Sequence, residues 1–172
     1  MKNIYCIWVM TGSENEYIKE VQPLLDAPSS TCKGKLYNLG KQMKLKSGKE
    51  YIEPLFPSYV FFEAEQLDDY SILQKGPGFL KILPDNKEIH PLDKTDKILI
   101  LSILKYGTVL PILHASFDVN DRIVILDGPF KGKEGQITAV NRRNKRVNFK
   151  VKLLNGVVVI GLTYELIQKC EN

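Results

Sequence analysis

The most chemically distinctive residues of this chain are the basic side chains of its last third. Residues 1–106 contain 14 basic and 14 acidic side chains, whereas residues 107–170 contain 10 basic and 5 acidic ones. Arg142, Arg143, Lys145 and Arg146 fall within five consecutive positions without an acid. Like charges this close repel one another, and phosphate groups that neutralise them relieve the repulsion. The pattern therefore favours binding of a nucleic acid.

Four further lysines extend this basic region. Lys150 and Lys152 share one parity of the next predicted strand, and Lys131 and Lys133 lie in a preceding turn. A solvated surface is the ordinary interpretation of such a charge run and is the alternative here. RNA helices are recognised largely through backbone and shape, so we predict a structured RNA hairpin as the target. The predicted RNA-binding residues are Lys131, Lys133, Arg142, Arg143, Lys145, Arg146, Lys150 and Lys152.

A second lysine-rich segment lies nearer the start of the chain. Six lysines and no acidic residue occur between positions 27 and 49. Residues 44–49 resemble the tip of a β-hairpin, with Ser47 and Gly48 as the turn. Possible additional contacts, to upstream DNA or to the same RNA, come from Lys41, Lys44, Lys46 and Lys49.

No spacing in the sequence predicts catalysis, a metal site or a cofactor. Residues 128–133 have only three positions between their glycines and no Ser or Thr after Lys133, so they do not form a P-loop. His90 and His114 have no second ligand at suitable spacing, and the three cysteines are far apart. Neither a signal peptide nor an apolar window of about 18 residues is present. We therefore expect a cytoplasmic binding protein with no enzymatic activity and no membrane contact.

Hydrophobic periodicity in the first two thirds predicts mixed helices and strands. Residues 4–10 form a predicted strand covered on both faces, and a capping box at 13–16 predicts the start of a helix. Pro23 is expected to end or kink that helix early. Residues 55–62 predict a second apolar strand, and Asp93 predicts the cap of a further helix.

Short strands and tight turns follow from residue 117 onward. Asn155-Gly156 is a type I′ hairpin signal, which favours strands on both sides of it. About fifty residues of this kind predict a small β-barrel, because closure removes exposed strand edges. The predicted fold class is α+β, ending in an all-β barrel. Its strands are predicted at 122–126, 136–140, 146–153 and 157–162.

Three segments resemble the NusG family of transcription elongation factors. Residues 119–137 (VNDRIVILDGPFKGKEGQI) resemble the KOW motif of these factors and of certain ribosomal proteins. Residues 7–14 and 53–61 are similar to the two signature strands of the NusG N-terminal (NGN) domain, with Ser58 where the family usually has Gly. The substitution is expected to alter the entry into the strand slightly.

The resemblance covers nearly the whole chain and implies a domain order. It implies an NGN domain at 1–106, with an antiparallel sheet and flanking helices. A linker at 107–116 and an SH3-like KOW β-barrel at 117–170 follow. The turn at 141–146 is most similar to the LoaP group of specialised paralogs, which are processive antiterminators.

The resemblance also implies partners. An NGN domain of this family binds the clamp helices of RNA polymerase and suppresses pausing, and in the LoaP group RNA recognition accompanies antitermination. Strand parity places Tyr59 and Phe61 on one face and Val60 and Phe62 on the other, so at least one pair must be core. The implied polymerase-binding residues are Phe56, Tyr59, Phe61, Ile98 and Leu101.

Two other functions remain open at this point. In a general NusG the barrel would bind the termination factor Rho or a ribosomal protein, and a KOW protein of the ribosome would not bind polymerase. We expect a monomer in each case. We also expect the barrel to stay a barrel rather than refold into helices, because residues 157–160 are β-branched.

Overall fold

A computed structural model describes residues 2–84 and 88–167 and confirms the predicted α+β fold class. The chain divides into two compact units. The first unit is drawn from Met1–Leu39 and Phe56–Ile98, and the second from Gly40–Leu55 and Leu99–Asn172. The elements are β1 (Asn3–Val9), α1 (Glu14–Asp26), β2 (Lys35–Tyr37), β3 (Gly40–Lys44), β4 (Glu50–Pro54), β5 (Tyr59–Ala64), β6 (Phe79–Ile82), α2 (Lys94–Leu104), β7 (Val109–Leu110), β8 (Leu113–Phe117), β9 (Ile123–Ile125), β10 (Ile137–Asn141), β11 (Arg146–Leu153) and β12 (Gly156–Leu166).

The first unit is built on a four-stranded antiparallel sheet in the order β2-β5-β1-β6. Tyr17, Val21 and Leu25 recur at helical spacing on α1, and they are buried in one core with Ile7 and Phe62 of the sheet. Neighbouring residues of β1 are buried on both parities. The prediction that this strand is covered on both faces is therefore confirmed.

The start of α1 differs in detail from the predicted capping box. Ser13 precedes the helix but makes no side-chain capping hydrogen bond. The main-chain N–H of Ser13, which Glu16 would accept in a capping box, donates to the carbonyl of Met10 at 2.9 Å. The carboxylate of Glu14 accepts the main-chain N–H of Ser58 at 2.7 Å. Ser58 has a φ of 73°, a left-handed conformation that glycine adopts at lower cost, so the serine makes the entry into β5 more strained. The helix continues past Pro23 to Asp26, so it does not end early.

The start of α2 agrees with the sequence. The side chain of Asp93 accepts the main-chain N–H of Asp96 at 2.8 Å, which is the predicted N-terminal cap. Neither α2 nor any other helix in the described part of the chain is long and apolar enough to cross a membrane.

In the second unit, β3 and β4 form a hairpin, which confirms the predicted tip at residues 44–49. Lys44 pairs with Glu50, and the main-chain N–H of Leu45 donates to the carbonyl of Lys49 at 2.9 Å. The short strand β7 runs parallel to β3. We call β3, β4 and the turn between them the lysine hairpin.

The same unit contains a five-stranded sheet in the order β10-β11-β12-β8-β9. Its core includes Phe130 and Phe149, both fully buried, with ring centroids 4.6 Å apart. Residues 107–116, predicted as a linker, contain β7 and the first part of β8. Leu110 and Leu113 are buried there, because this segment supplies apolar side chains to the strands on either side.

The hairpin between β11 and β12 is present, one residue earlier than predicted. Leu153 pairs with Gly156, so Leu154 and Asn155 are the two turn residues. Their φ angles of 55° and 61° are those of a type I′ turn. The signal residue Asn155 lies at the second turn position, and Gly156 already belongs to β12. Residues 157–160 are in a strand, in agreement with the expected barrel.

Candidate nucleic-acid interface

The basic turn at 142–145 connects β10 to β11 and is exposed along its whole length. Asn141 pairs with Arg146 at its base, and the side chain of Asn141 accepts the main-chain N–H of Asn144 at 3.0 Å. Lys145 completes the turn with a φ of 52°. Local hydrogen bonds thus fix the main chain of this turn. They do not fix its long basic side chains, whose positions depend on the separate contacts of each residue.

Arg142 is attached to its own sheet. Its guanidinium carbon lies 3.9 Å from the centroid of the Phe117 ring, and one terminal nitrogen lies 2.9 Å from the carboxylate of Asp121. The same nitrogen donates to the main-chain oxygen of Asp121 at 3.0 Å. The positive charge of Arg142 is therefore partly neutralised within the protein.

Arg146 and Lys41 are also engaged in internal contacts. A terminal nitrogen of Arg146 donates to the Tyr51 hydroxyl at 2.9 Å, which joins β11 to the lysine hairpin. The Nζ of Lys41 donates to the carbonyl of Gly161 at 2.6 Å and lies 3.7 Å from Glu53. Burial lowers the pKa of Lys41, and the carboxylate of Glu53 partly offsets this effect. Lys41 was predicted as a nucleic-acid contact, but in this structure it is a buried residue that holds the hairpin in place.

Lys44 is paired with a carboxylate. Its Nζ lies 3.0 Å from Glu165, and its main-chain N–H donates to the Thr163 hydroxyl at 3.3 Å. The hydrogen bond and the charge of Glu165 raise the pKa of Lys44, and the same pair lowers the pKa of Glu165. Both groups are charged at neutral pH, and the pair is partly exposed.

The structure brings some residues of the two predicted basic groups close together. Lys44 and Lys46 of the lysine hairpin line one cleft of about 450 Å³ with Arg143 and Lys145 of the basic turn. We call this the basic cleft. Strand β12 contributes Thr163, Tyr164, Glu165 and Leu166 to its walls.

The other predicted cations are not in the basic cleft. Lys150 and Lys152 are exposed on β11, as their parity predicts, and they pair with the exposed Val159 and Val157 on β12. The Nζ of Lys133 lies 5.8 Å from the centroid of the Phe130 ring. Lys131 and Lys49 are exposed as well.

The residues implied for polymerase binding differ in exposure. Phe56 and Phe61 are buried and pack edge to face, with ring centroids 5.8 Å apart. Tyr59 is half-buried, and burial raises the pKa of its hydroxyl. Ile98 is 57% exposed, whereas Leu101 is half-buried. In this conformation Phe56 and Phe61 are core side chains, and Ile98 is the most accessible of the five residues.

Thr163, Glu165 and Tyr51 are site residues that sequence reasoning missed. Glu165 carried a signal, since it is the first acidic residue after Glu134 in a strongly basic stretch. Thr163 and Tyr51 carried none, because their importance comes from strands that meet only in the folded unit.

His114 lies in a polar contact rather than in a metal site. Its Nδ1 contacts the carboxylate of Asp127, which also accepts the main-chain N–H of His114 at 2.9 Å. Among residues 2–84 and 88–167, no group of three or more potential metal ligands is present.

Comparison with known proteins gives three likenesses. The KOW motif family matches residues 119–150. The transcription termination/antitermination protein NusG of Neisseria meningitidis serogroup B (strain ATCC BAA-335 / MC58) is 22% identical over 135 residues, which is 75% of each chain. The protein of the same name from Liberibacter asiaticus is 29% identical over 59 residues, covering 34% of this chain and 84% of the relative.

The fold is similar to a solved structure described as "Domain interaction in Thermotoga maritima NusG". The TM-score is 0.57 at 18% identity, and the likeness covers 95% of this chain and 94% of the other. The mixed α+β fold of the chain is therefore similar to that of a NusG protein, and it includes a KOW motif.

Proposed function

Since the KOW match, the two relatives and the shared fold all support the NusG family, we propose that this chain is a NusG-like transcription factor that acts in antitermination. Its NGN domain, at 1–106, contacts RNA polymerase, and its KOW domain, at 117–170, binds a structured nascent RNA. It has no enzymatic activity, and it acts in the cytoplasm as a monomer. Within the family we place it nearest the LoaP group, on the likeness of its basic turn.

The proposed RNA binding rests on one observation, the set of exposed cations at Arg143, Lys145, Lys150 and Lys152. Among residues 2–84 and 88–167, none of them forms an ion pair with a carboxylate, unlike Arg142 and Lys44. Unneutralised cations on one small sheet attract a polyanion and release its counterions when they bind it. A general NusG that binds Rho or a ribosomal protein through the barrel would not need this charge.

Transcription in vitro across a terminator tests the proposal. We expect readthrough to require both the protein and the leader RNA upstream of the terminator. The double variant Arg143→Ala/Lys145→Ala should lose the leader-dependent part and keep its binding to polymerase. Readthrough that ignores the leader, together with pull-down of Rho or a ribosomal protein, would support the general factor instead.

RNA binding itself is measured by titration at several salt concentrations. If about five phosphates are neutralised, the slope of log K against log salt should be roughly −3.5 to −4.5. A flat salt response would rule out the RNA part of the proposal. Co-sedimentation with ribosomes and not with polymerase would replace it with a ribosomal role.

A further inference from the structure

The basic cleft joins two basic groups that are about a hundred positions apart in the sequence. Lys44 and Lys46 come from the lysine hairpin, and Arg143 and Lys145 from the basic turn. Its volume of about 450 Å³ lies within the usual range of ligand sites. The cleft is therefore large enough to admit a nucleotide unit of a chain.

Contacts within the second unit fix the position of the hairpin that forms one wall. Lys41 donates to the carbonyl of Gly161 at 2.6 Å, and Arg146 donates to the Tyr51 hydroxyl at 2.9 Å. The main-chain N–H of Lys44 donates to the Thr163 hydroxyl at 3.3 Å. None of these three hydrogen bonds uses the side chain of a cleft cation, and together they keep the two basic groups facing the same cleft.

The charges in the cleft are unbalanced. Four cations share the single carboxylate of Glu165, which pairs with Lys44 at 3.0 Å. Tyr164, the one aromatic residue in the lining, is only 1% exposed. Stacking of a base needs an exposed ring face, so the cleft suits the phosphates of a chain rather than its bases.

We propose that the basic cleft is a composite binding site for the phosphodiester backbone of RNA, formed jointly by the lysine hairpin and the KOW sheet. This inference rests on the proposed RNA-binding function and names the site at which it occurs. Lys46, Arg143 and Lys145 contact phosphates directly. The carboxylate of Glu165 competes with a phosphate for Lys44. Polyanions that make few other contacts with the cleft therefore bind weakly.

Fluorescence anisotropy with a labelled RNA stem-loop tests the site in the full chain. Lys46→Gln should weaken binding about fivefold to eightfold at roughly 0.1 M salt and lower the magnitude of the salt slope by about 0.7–0.9. Lys105→Gln is the control, because Lys105 is an exposed lysine of the same unit that neither lines the cleft nor belongs to a predicted binding group. It should change affinity less than twofold.

A gain of affinity gives a second, independent readout. Glu165→Gln removes the competing carboxylate, so it should tighten binding about fivefold at the same salt concentration. Arg143→Gln should weaken binding, whether or not the hairpin takes part. Urea unfolding of each variant shows whether the second unit remains folded.

The outcomes separate the two proposals. If Arg143→Gln weakens binding but Lys46→Gln behaves like Lys105→Gln and Glu165→Gln gives no gain, the composite cleft is wrong and RNA binding by the KOW domain stands. If none of these variants changes the affinity of a chain that still binds the stem-loop, the cleft is wrong and binding rests on Lys150 and Lys152. If the chain does not bind the stem-loop, both proposals fail. Tighter binding of duplex DNA of equal length would replace RNA as the ligand of the cleft.

Discussion

Arg142 and Arg143 are neighbours in the basic turn, yet the structure predicts different consequences for their replacement. Arg142 stacks on Phe117 at 3.9 Å and pairs with Asp121 at 2.9 Å, whereas Arg143 is exposed and lines the basic cleft. We therefore expect Arg142→Ala to lower the free energy of unfolding of the second unit. Arg143→Ala should leave that free energy unchanged and weaken RNA binding.

The size of the stability effect follows from two exposed contacts. A cation–π contact at an exposed site contributes about 0.5–1 kcal/mol. The side chains of Arg142 and Asp121 are 52% and 76% exposed, so their ion pair adds at most about 1 kcal/mol. Arg142→Ala should thus cost about 1–2 kcal/mol. Arg143→Ala, which removes neither type of contact, should stay within about 0.5 kcal/mol of the unaltered protein.

Urea unfolding and anisotropy titration of the same protein samples measure both quantities. Arg143→Ala should weaken binding about fivefold to eightfold at roughly 0.1 M salt, the value for one phosphate contact. Arg142→Lys is the matched control, since it keeps the charge but loses the flat guanidinium that stacks on Phe117. Equal losses of stability for Arg142→Ala and Arg143→Ala would refute this division of roles. So would a loss of binding restricted to Arg142→Ala at unchanged stability.

Two further predictions concern the folded framework. The Tyr17 hydroxyl donates to the carbonyl of Leu73 at 2.5 Å in the core, so Tyr17→Phe should cost about 1–3 kcal/mol in urea unfolding at neutral pH. Burial raises the pKa of Tyr17 above its ordinary value of 10.0, so the neutral hydroxyl stabilises the fold below pH 10 and this contribution is lost as the pH rises further. The difference in free energy of unfolding between Tyr17→Phe and the unaltered protein should therefore narrow above pH 10. A difference that stays constant would contradict the stabilising role of the neutral hydroxyl. Leu154 has a φ of 55° in the type I′ turn, so Leu154→Asn should raise the thermal midpoint by relieving about 1 kcal/mol of strain. Leu154→Val should lower the thermal midpoint, because a β-branched residue adopts this positive φ less readily.

Elements whose signals are local were predicted well. The strand β1, the cap of α2 by Asp93 and the tip of the lysine hairpin each depend on residues within a few positions of one another. The predicted capping box is absent because the main-chain N–H of Ser13, which Glu16 would accept, donates to the carbonyl of Met10 at 2.9 Å. Residues 107–116 were predicted as a linker, and strands form there because β3 and β12 supply partners. In the linker, tertiary pairing overrode the local signal.

The charged residues of the candidate site were likewise predicted from local signals, but their partners were not. Sequence reasoning identified the basic turn and the lysine-rich segment, and counted their cations as equivalent. In the fold, Lys41 is buried and donates to the carbonyl of Gly161, and Arg142 stacks on Phe117 and pairs with Asp121. Lys46 and Arg143 are exposed and line the basic cleft. No count of charges along the chain could separate these groups, because each partner lies far away in the sequence.

The difference between cations with and without a partner changes how the charge asymmetry of the chain is interpreted. Cations that already have a carboxylate, ring or carbonyl partner gain little from a phosphate, since binding would exchange one neutralising contact for another. The cations that a polyanion can engage are therefore fewer than the ten basic residues of 107–170. Two of them, Arg143 and Lys145, lie where the basic turn faces the lysine hairpin. The affinity of the protein for RNA should accordingly depend on how firmly Tyr51 and Gly161 hold that hairpin, as well as on the number of its lysines.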